Sequence, residues 1–266
     1  MKEASSCKEQ IEVTCPICRE KGMFSGVSFC NGSRDRAMRK RILYDENLFF
    51  YTCPQCAETI RVDMTGLYCD DDHRFMVCLH PSEQLQTQYE ALVAAKEIRK
   101  NYRCRSARTW GEWREKIVEM ETSRDDRWYE VLKAGAYRLL KPELRRQYPL
   151  AMCHIDYGAE GERTEQRNLV FLDATKAGEG VSYVISERIL QQTKDIFSPI
   201  LQQIQTVKPF SFIDAEWADA LLTEVLRAAA KQPHGYAELL GYWIQCVGAE
   251  IFHYHVRGEA GPAEKL

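Results

Sequence analysis

Two stretches decide the fold: Val13-Thr14-Cys15-Pro16-Ile17-Cys18 and Phe50-Tyr51-Thr52-Cys53-Pro54-Gln55-Cys56. Two residues between cysteines let one tight turn aim both sulfurs at a common point. Pro16 and Pro54 preset φ near about −65°, which suits the first central position of such a turn. Four thiolates at about 2.3 Å suit a tetrahedral Zn2+, and four protein ligands leave no open coordination position, so the site is structural. The expected ligands are Cys15, Cys18, Cys53 and Cys56, with 34 residues between the pairs. That separation exceeds the usual ribbon spacing of about 15–20. Doubling a closed loop costs only about 0.6 kcal/mol, whereas a structural zinc contributes on the order of 10 kcal/mol. The metal tolerates the insertion.

Two other readings stand beside zinc. A lone C-P-x-C after a strand is similar to the glutaredoxin redox motif, and isolated cysteines also serve as inert buried thiols. The redox motif must open a helix whose N-terminus lowers the thiol pKa. Here Gly22 and Gly26 follow closely and the motif occurs twice, so zinc is favoured.

Outward from the cysteines, Ile11–Thr14, Phe49–Thr52, Thr59–Val62 and Phe75–Leu79 read as short strands. The last two flank the polar turn Asp70–His73 as in a hairpin. A connecting helix is expected from Ser82 to about Ile98, with Leu85, Tyr89, Leu92 and Val93 at helical spacing. Thr109-x-x-Glu112 and Ser123-x-x-Asp126 read as capping boxes that open two helices of a hairpin. Trp113, Ile117 and Met120 face inward on the first, Trp128, Leu132 and Leu139 on the second. Beyond Pro149, strands are expected over 151–157, 168–172 and 181–185. Helices follow over 187–205, from a cap at Asp214 to Ala230, and through about Tyr254, with the residues from Gly258 on frayed. The fold class is α+β: a small zinc-ribbon-like β module over 1–81, a helical linker and hairpin over 82–149, and a mixed strand and helix region over 150–266.

Composition narrows the class without naming a task. Net charge is −3, so there is no global attraction to nucleic acid, and hydrophobic content is 45%. No apolar run approaches the roughly 18 residues of a membrane span, and the first residues lack an apolar leader core. The expected location is cytoplasmic. There, eleven cysteines point to metal or catalysis before disulfides.

The same residues resemble the CpXC domain, a bacterial and archaeal family named for paired C-P-x-C motifs. The likeness runs through Ile60-Arg61-Val62-Asp63, Leu67-Tyr68 and Arg74-Phe75-Met76 to Pro81. It returns at Trp113–Ile117, Asp125-Asp126-Arg127, Glu130 and Lys133. It implies the four ligands but no activity, because the family is functionally uncharacterised. The chain departs from the pattern at Arg19 and Ala57, where glycine is common.

The leading expectation is therefore a non-enzymatic zinc module that meets a protein partner. A second reading is binding of RNA or single-stranded DNA through a basic loop, Arg34, Arg36, Arg39, Lys40 and Arg41, beside Phe49, Phe50 and Tyr51. Phosphate neutralisation and base stacking call for that mixture. A second basic stretch, Lys96, Arg99, Lys100, Arg103, Arg105 and Arg108, adds to it. A third reading is an enzyme sited in residues 150–266, where His154, Asp156 and Asp173 are too generic to nominate. Cys69, His73, Cys78 and His80 are a weaker metal-ligand group.

Overall fold

In the computed structural model the described residues are 5–82, 87, 91, 101–122, 124–158, 167–176, 179–204, 208–231, 235–253 and 264–265. They form three sheets and seven α-helices. The chain divides into two compact units, residues 1–123 with 208–212, and residues 124–207 with 213–266.

The first unit is built on a six-stranded sheet in the order β1 (Ser6–Thr14), β2 (Lys21–Asn31), β5 (Gly66–Asp70), β6 (Phe75–Leu79), β7 (Arg103–Ala107) and β11 (Ser211–Phe212). A separate two-stranded ribbon joins β3 (Phe50–Thr52) to β4 (Thr59–Arg61). Two helices belong to this unit, α1 (Arg36–Tyr44) and α2 (Trp110–Glu121). Trp113 anchors its core. The indole is fully buried, donates to the Val77 carbonyl at 2.9 Å and meets the rings of Phe49 and Tyr68 edge-on. Such aromatic pairs are worth about 0.5–1.5 kcal/mol beyond their buried area. The expected cap at Thr109 is present, its hydroxyl accepting from Glu112 N at 3.1 Å. Glu112 reaches back to the Arg108 N–H at 2.7 Å.

The strand pairing corrects one expectation. Thr59–Arg61 pairs with Phe50–Thr52, and the hairpin around Asp70–His73 is made by Gly66–Asp70 with Phe75–Leu79, Asp70 opposite Phe75. The cysteine turn after Thr52 is itself the loop of the β3–β4 hairpin, so β4 is held by its nearest neighbour in sequence. A second correction concerns the basic loop: Arg36–Tyr44 is helical. Asp35 caps it by accepting from Met38 N at 2.9 Å, and Met38, Ile42 and Leu43 are buried. Three apolar residues among four basic ones are too few for the periodicity to stand out. The connecting helix over 82–98 and the tail from Gly258 lie largely outside the described residues.

The second unit carries α3 (Asp126–Leu139), α4 (Pro142–Gln147), β8 (Cys153–Asp156), β9 (Arg167–Leu172), β10 (Gly180–Ile185), α5 (Glu187–Gln203), α6 (Ala215–Lys231), α7 (Tyr236–Phe252) and β12 (Glu264–Lys265). The four strands form an antiparallel sheet in the order β12-β10-β9-β8. The strands and helices expected beyond Pro149 are present, and Asp214 caps α6 through Trp217 N at 2.8 Å. α3 is capped by Asp125, which accepts from Arg127 N, whereas the expected cap Ser123 lies outside the described residues. Trp243 centres this core: buried, donating to Thr193 Oγ1 at 2.8 Å and T-stacked on Phe197 at 4.8 Å. α3 passes close to it at Gly135, where an added Cβ would come within 2.3 Å of the indole.

Gly135→Ala should therefore destabilise the second unit by about 1–3 kcal/mol, the usual magnitude for overpacking, although alanine is the better helix former. Urea denaturation measures it. An unchanged or higher midpoint would contradict this packing.

Candidate metal centre

Each cysteine turn joins two strands. β1 runs into Cys15 and β2 leaves after Glu20; β3 runs into Cys53 and β4 leaves after Glu58. The two turns repeat one hydrogen-bond pattern. Cys15 N donates to Glu20 O at 2.8 Å and Arg19 N to Cys15 O at 3.0 Å; Cys53 N donates to Glu58 O at 2.8 Å and Ala57 N to Cys53 O at 2.9 Å. Closing the turn this way puts the residue after the second cysteine in the left-handed region, Arg19 at φ +64° and Ala57 at φ +59°. A Cβ is disfavoured there, which gives a physical reason why glycine suits these two positions.

The sulfurs converge. Cys15 Sγ lies 3.6 Å from Cys56 Sγ, Cys18 Sγ lies 3.6 Å from Cys53 Sγ, and all four lie within 4.8 Å of one another. Four bonds of about 2.3 Å at tetrahedral angles place sulfurs roughly 3.8 Å apart, so the arrangement fits one metal ion of that size. Cys15 and Cys53 are buried while Cys18 and Cys56 reach the surface. Backbone N–H groups point at the sulfurs. The Cys18 N–H, opposed by desolvation and aided by the Ile17 N–H, lowers Cys15 to about 7. The Glu58 N–H favours the Cys56 thiolate, but desolvation and the thiols of Cys18, Cys15 and Cys53 push it up to about 12. The Cys15 sulfur ionises readily, whereas Cys18 and Cys56 resist a second negative charge; a divalent cation at the centre would remove that resistance.

Tyr51 links the two hairpins. Its ring lies across Gly22 at the start of β2, where a Cβ would fall 1.8 Å from the Tyr51 hydroxyl. Desolvation first, then the charges of Cys53, Glu20, Cys15 and Cys18, raise its pKa. A glycine facing an aromatic across the cysteine pairs leaves no local sequence signal, so this contact is not legible in the chain.

The remaining sequence candidates do not gather in the same way. Arg34 pairs with Asp71 and Arg36 with Asp72, each at 3.2 Å; Arg39 is bidentate to Glu121; Arg41 pairs with Asp45 at 3.2 Å. Lys40 is exposed. Phe49 is in the core. In the second basic stretch Arg103 bonds the Met120 carbonyl, Arg105 is buried and Arg108 stacks on Phe212; Lys96, Arg99 and Lys100 lie outside the described residues. Cys69 faces Met76 across the ladder and Cys78 faces Leu67. His73 Nδ1 lies 3.1 Å from buried Asp70, and with His80 these residues form no ligand group among the described residues. In the second unit Asp173 is fixed by Gln147 and Thr175, and Asp156 accepts from Gly158 N. His154 is half-buried, and its buried Nδ1 has no hydrogen-bond partner.

Buried charge is a feature that sequence reading missed. On α2, Glu115, Lys116 and Glu119 are all buried, with Lys116 3.5 Å from Glu119. On α3, Asp126, Glu130 and Lys133 fall on one stripe and are buried, with Lys133 2.8 Å from Glu130. Helical spacing of these residues was the available signal, but charged residues at such spacing usually mark a solvated face.

Two expectations follow. Ala57→Gly should stabilise the first unit by about 1 kcal/mol by relieving the left-handed residue, read as a higher denaturation midpoint; a drop would contradict the turn geometry. Desolvation, then Lys133, lowers His154 from its ordinary 6.5 to about 4, with Glu130 opposing. The unfolded chain thus binds the extra proton between those values. Stability tied to neutral His154 is complete above pH 6.5 and falls as pH drops toward 4, by about 1.4 kcal/mol per unit. His154→Phe should flatten that slope in urea titrations across the window; an identical slope would count against the assignment.

A family model described as CpXC protein matches residues 13–133, which takes in both cysteine turns, α2 and the first half of α3. No curated protein matches the chain, and no solved structure does.

Proposed function

The chain carries a CpXC domain over residues 13–133, and from that premise we propose that the four cysteines bind one structural Zn2+. On this reading the domain is a non-enzymatic interaction module that meets a protein partner. The convergence of four sulfurs at tetrahedral spacing is the observation that carries it. A four-sulfur set fills the coordination sphere and leaves no position for a substrate or water. Zn2+ suits it by softness and by its preference for tetrahedral thiolate. None of the eleven cysteines is in a disulfide, which fits a reducing compartment such as the cytoplasm. Among the described residues no helix is long and apolar enough to cross a membrane. Ile17 at the tip of the first turn is 68% exposed and Met23, six residues on in β2, is 58% exposed. On this reading a protein partner covers these two side chains.

Metal analysis of the purified protein should give one zinc per chain, and Cys53→Ser/Cys56→Ser should lose both the zinc and the fold of the first unit. Retention of a cooperative fold after complete metal stripping would overturn the structural role. Reversible thiol oxidation in a zinc-free, folded protein would make redox chemistry the function to pursue.

A further inference from the structure

β1 is an edge strand, paired only on its β2 side among the described residues. It runs for nine residues, whereas β11 at the opposite edge of the sheet has two. An edge of that length presents a row of unpaired N–H and C=O groups, which proteins cover or blunt with bulges. A bulge is present, but on the inner side: Cys7 faces Phe29 and Lys8 faces Val27, so Ser28 of β2 is the unmatched residue. The outer edge of β1 stays regular.

From this edge we propose that β1 pairs with β1 of a second copy of the chain, antiparallel and centred on Gln10. The charge pattern selects that partner and that register. Centring on Gln10 places each Lys8 opposite Glu12 of the second copy and Ser6 opposite Thr14. Lys8, Gln10 and Glu12 share one face by the two-residue period of a strand, and all three are exposed. Two opposite-charge pairs therefore form across one symmetric ladder. Centring one residue earlier sets Lys8 against Gln10, and one residue later sets Gln10 against Glu12. Parallel pairing in register sets Lys8 against Lys8. No other neighbouring register makes both pairs. Glu12 already holds Lys21 at 2.9 Å, with both side chains more than half exposed, so its carboxylate is positioned and still open to a second cation.

The pairing is tested on the full chain by sedimentation over a range of concentrations. Wild type should show a monomer–dimer equilibrium. Lys8→Glu should weaken the dimer by about tenfold or more, because two attractive pairs become repulsive, and Lys8→Glu/Glu12→Lys should restore it. In a Cys7→Ser background, Gln10→Cys should form a covalent dimer under mild diamide oxidation. Glu9→Cys should not, since its copy lies beyond disulfide reach. A monomer at every concentration overturns the proposal. So does a dimer indifferent to Lys8→Glu, or equal cross-linking at both cysteine positions. Zinc content read on the same samples separates this result from the metal reading.

Discussion

The convergence of four sulfurs at the ends of two hairpins is the contact on which the N-terminal part of the fold depends. The β3–β4 ribbon has only three residues in each strand, and an isolated two-stranded hairpin is marginal in water. It belongs to none of the larger sheets. What holds it is the meeting of its turn with the turn after β1, Tyr51 lying over Gly22, and the packing of Tyr51 and Ile60 against the core of the unit. A metal at that point would tie the ribbon to the long β1–β2 pair and close the excursion through α1 between them.

Each unit also organises its packing around one tryptophan whose indole N–H has a fixed acceptor. Trp113 bonds a carbonyl of β6, and Trp243 bonds Thr193 on α5. A buried indole left without a partner would carry the desolvation penalty of an unmade hydrogen bond. The two acceptors therefore fix ring orientation, and with it the register of helix against neighbour. The close approach at Gly135 is the same constraint seen from the helix that must accommodate the ring.

The charges of α1 tell a related story. Arg39 grips Glu121, which also accepts from the Tyr68 hydroxyl at 3.0 Å. The basic run reads in sequence as a free positive surface; in the fold, Arg34, Arg36, Arg39 and Arg41 have carboxylate partners. A carboxylate close enough to form a bidentate pair competes with any external anion for the same guanidinium.

The two cysteine turns and the caps of α2 and α6 were legible in the chain because they rest on neighbours a few residues apart. A C-P-x-C turn, a Thr-x-x-Glu box or an Asp before a helix satisfies its own backbone groups wherever it sits. Arg19 and Ala57 were legible as departures from glycine, though not their positive φ. β2 was not, since its Gly22, Ser25, Gly26 and Ser28 suppress strand propensity, while the glycines serve residues far away, Tyr51, Ile11 and Met64. The parallel pairing of β2 with β5, the neutralisation of Arg39 by Glu121 and the burial of charge on α2 and α3 were likewise decided only in three dimensions. Local turns and caps depend on near neighbours in sequence. Strand pairing, charge partners and close glycine contacts depend on which distant segments the fold brings together.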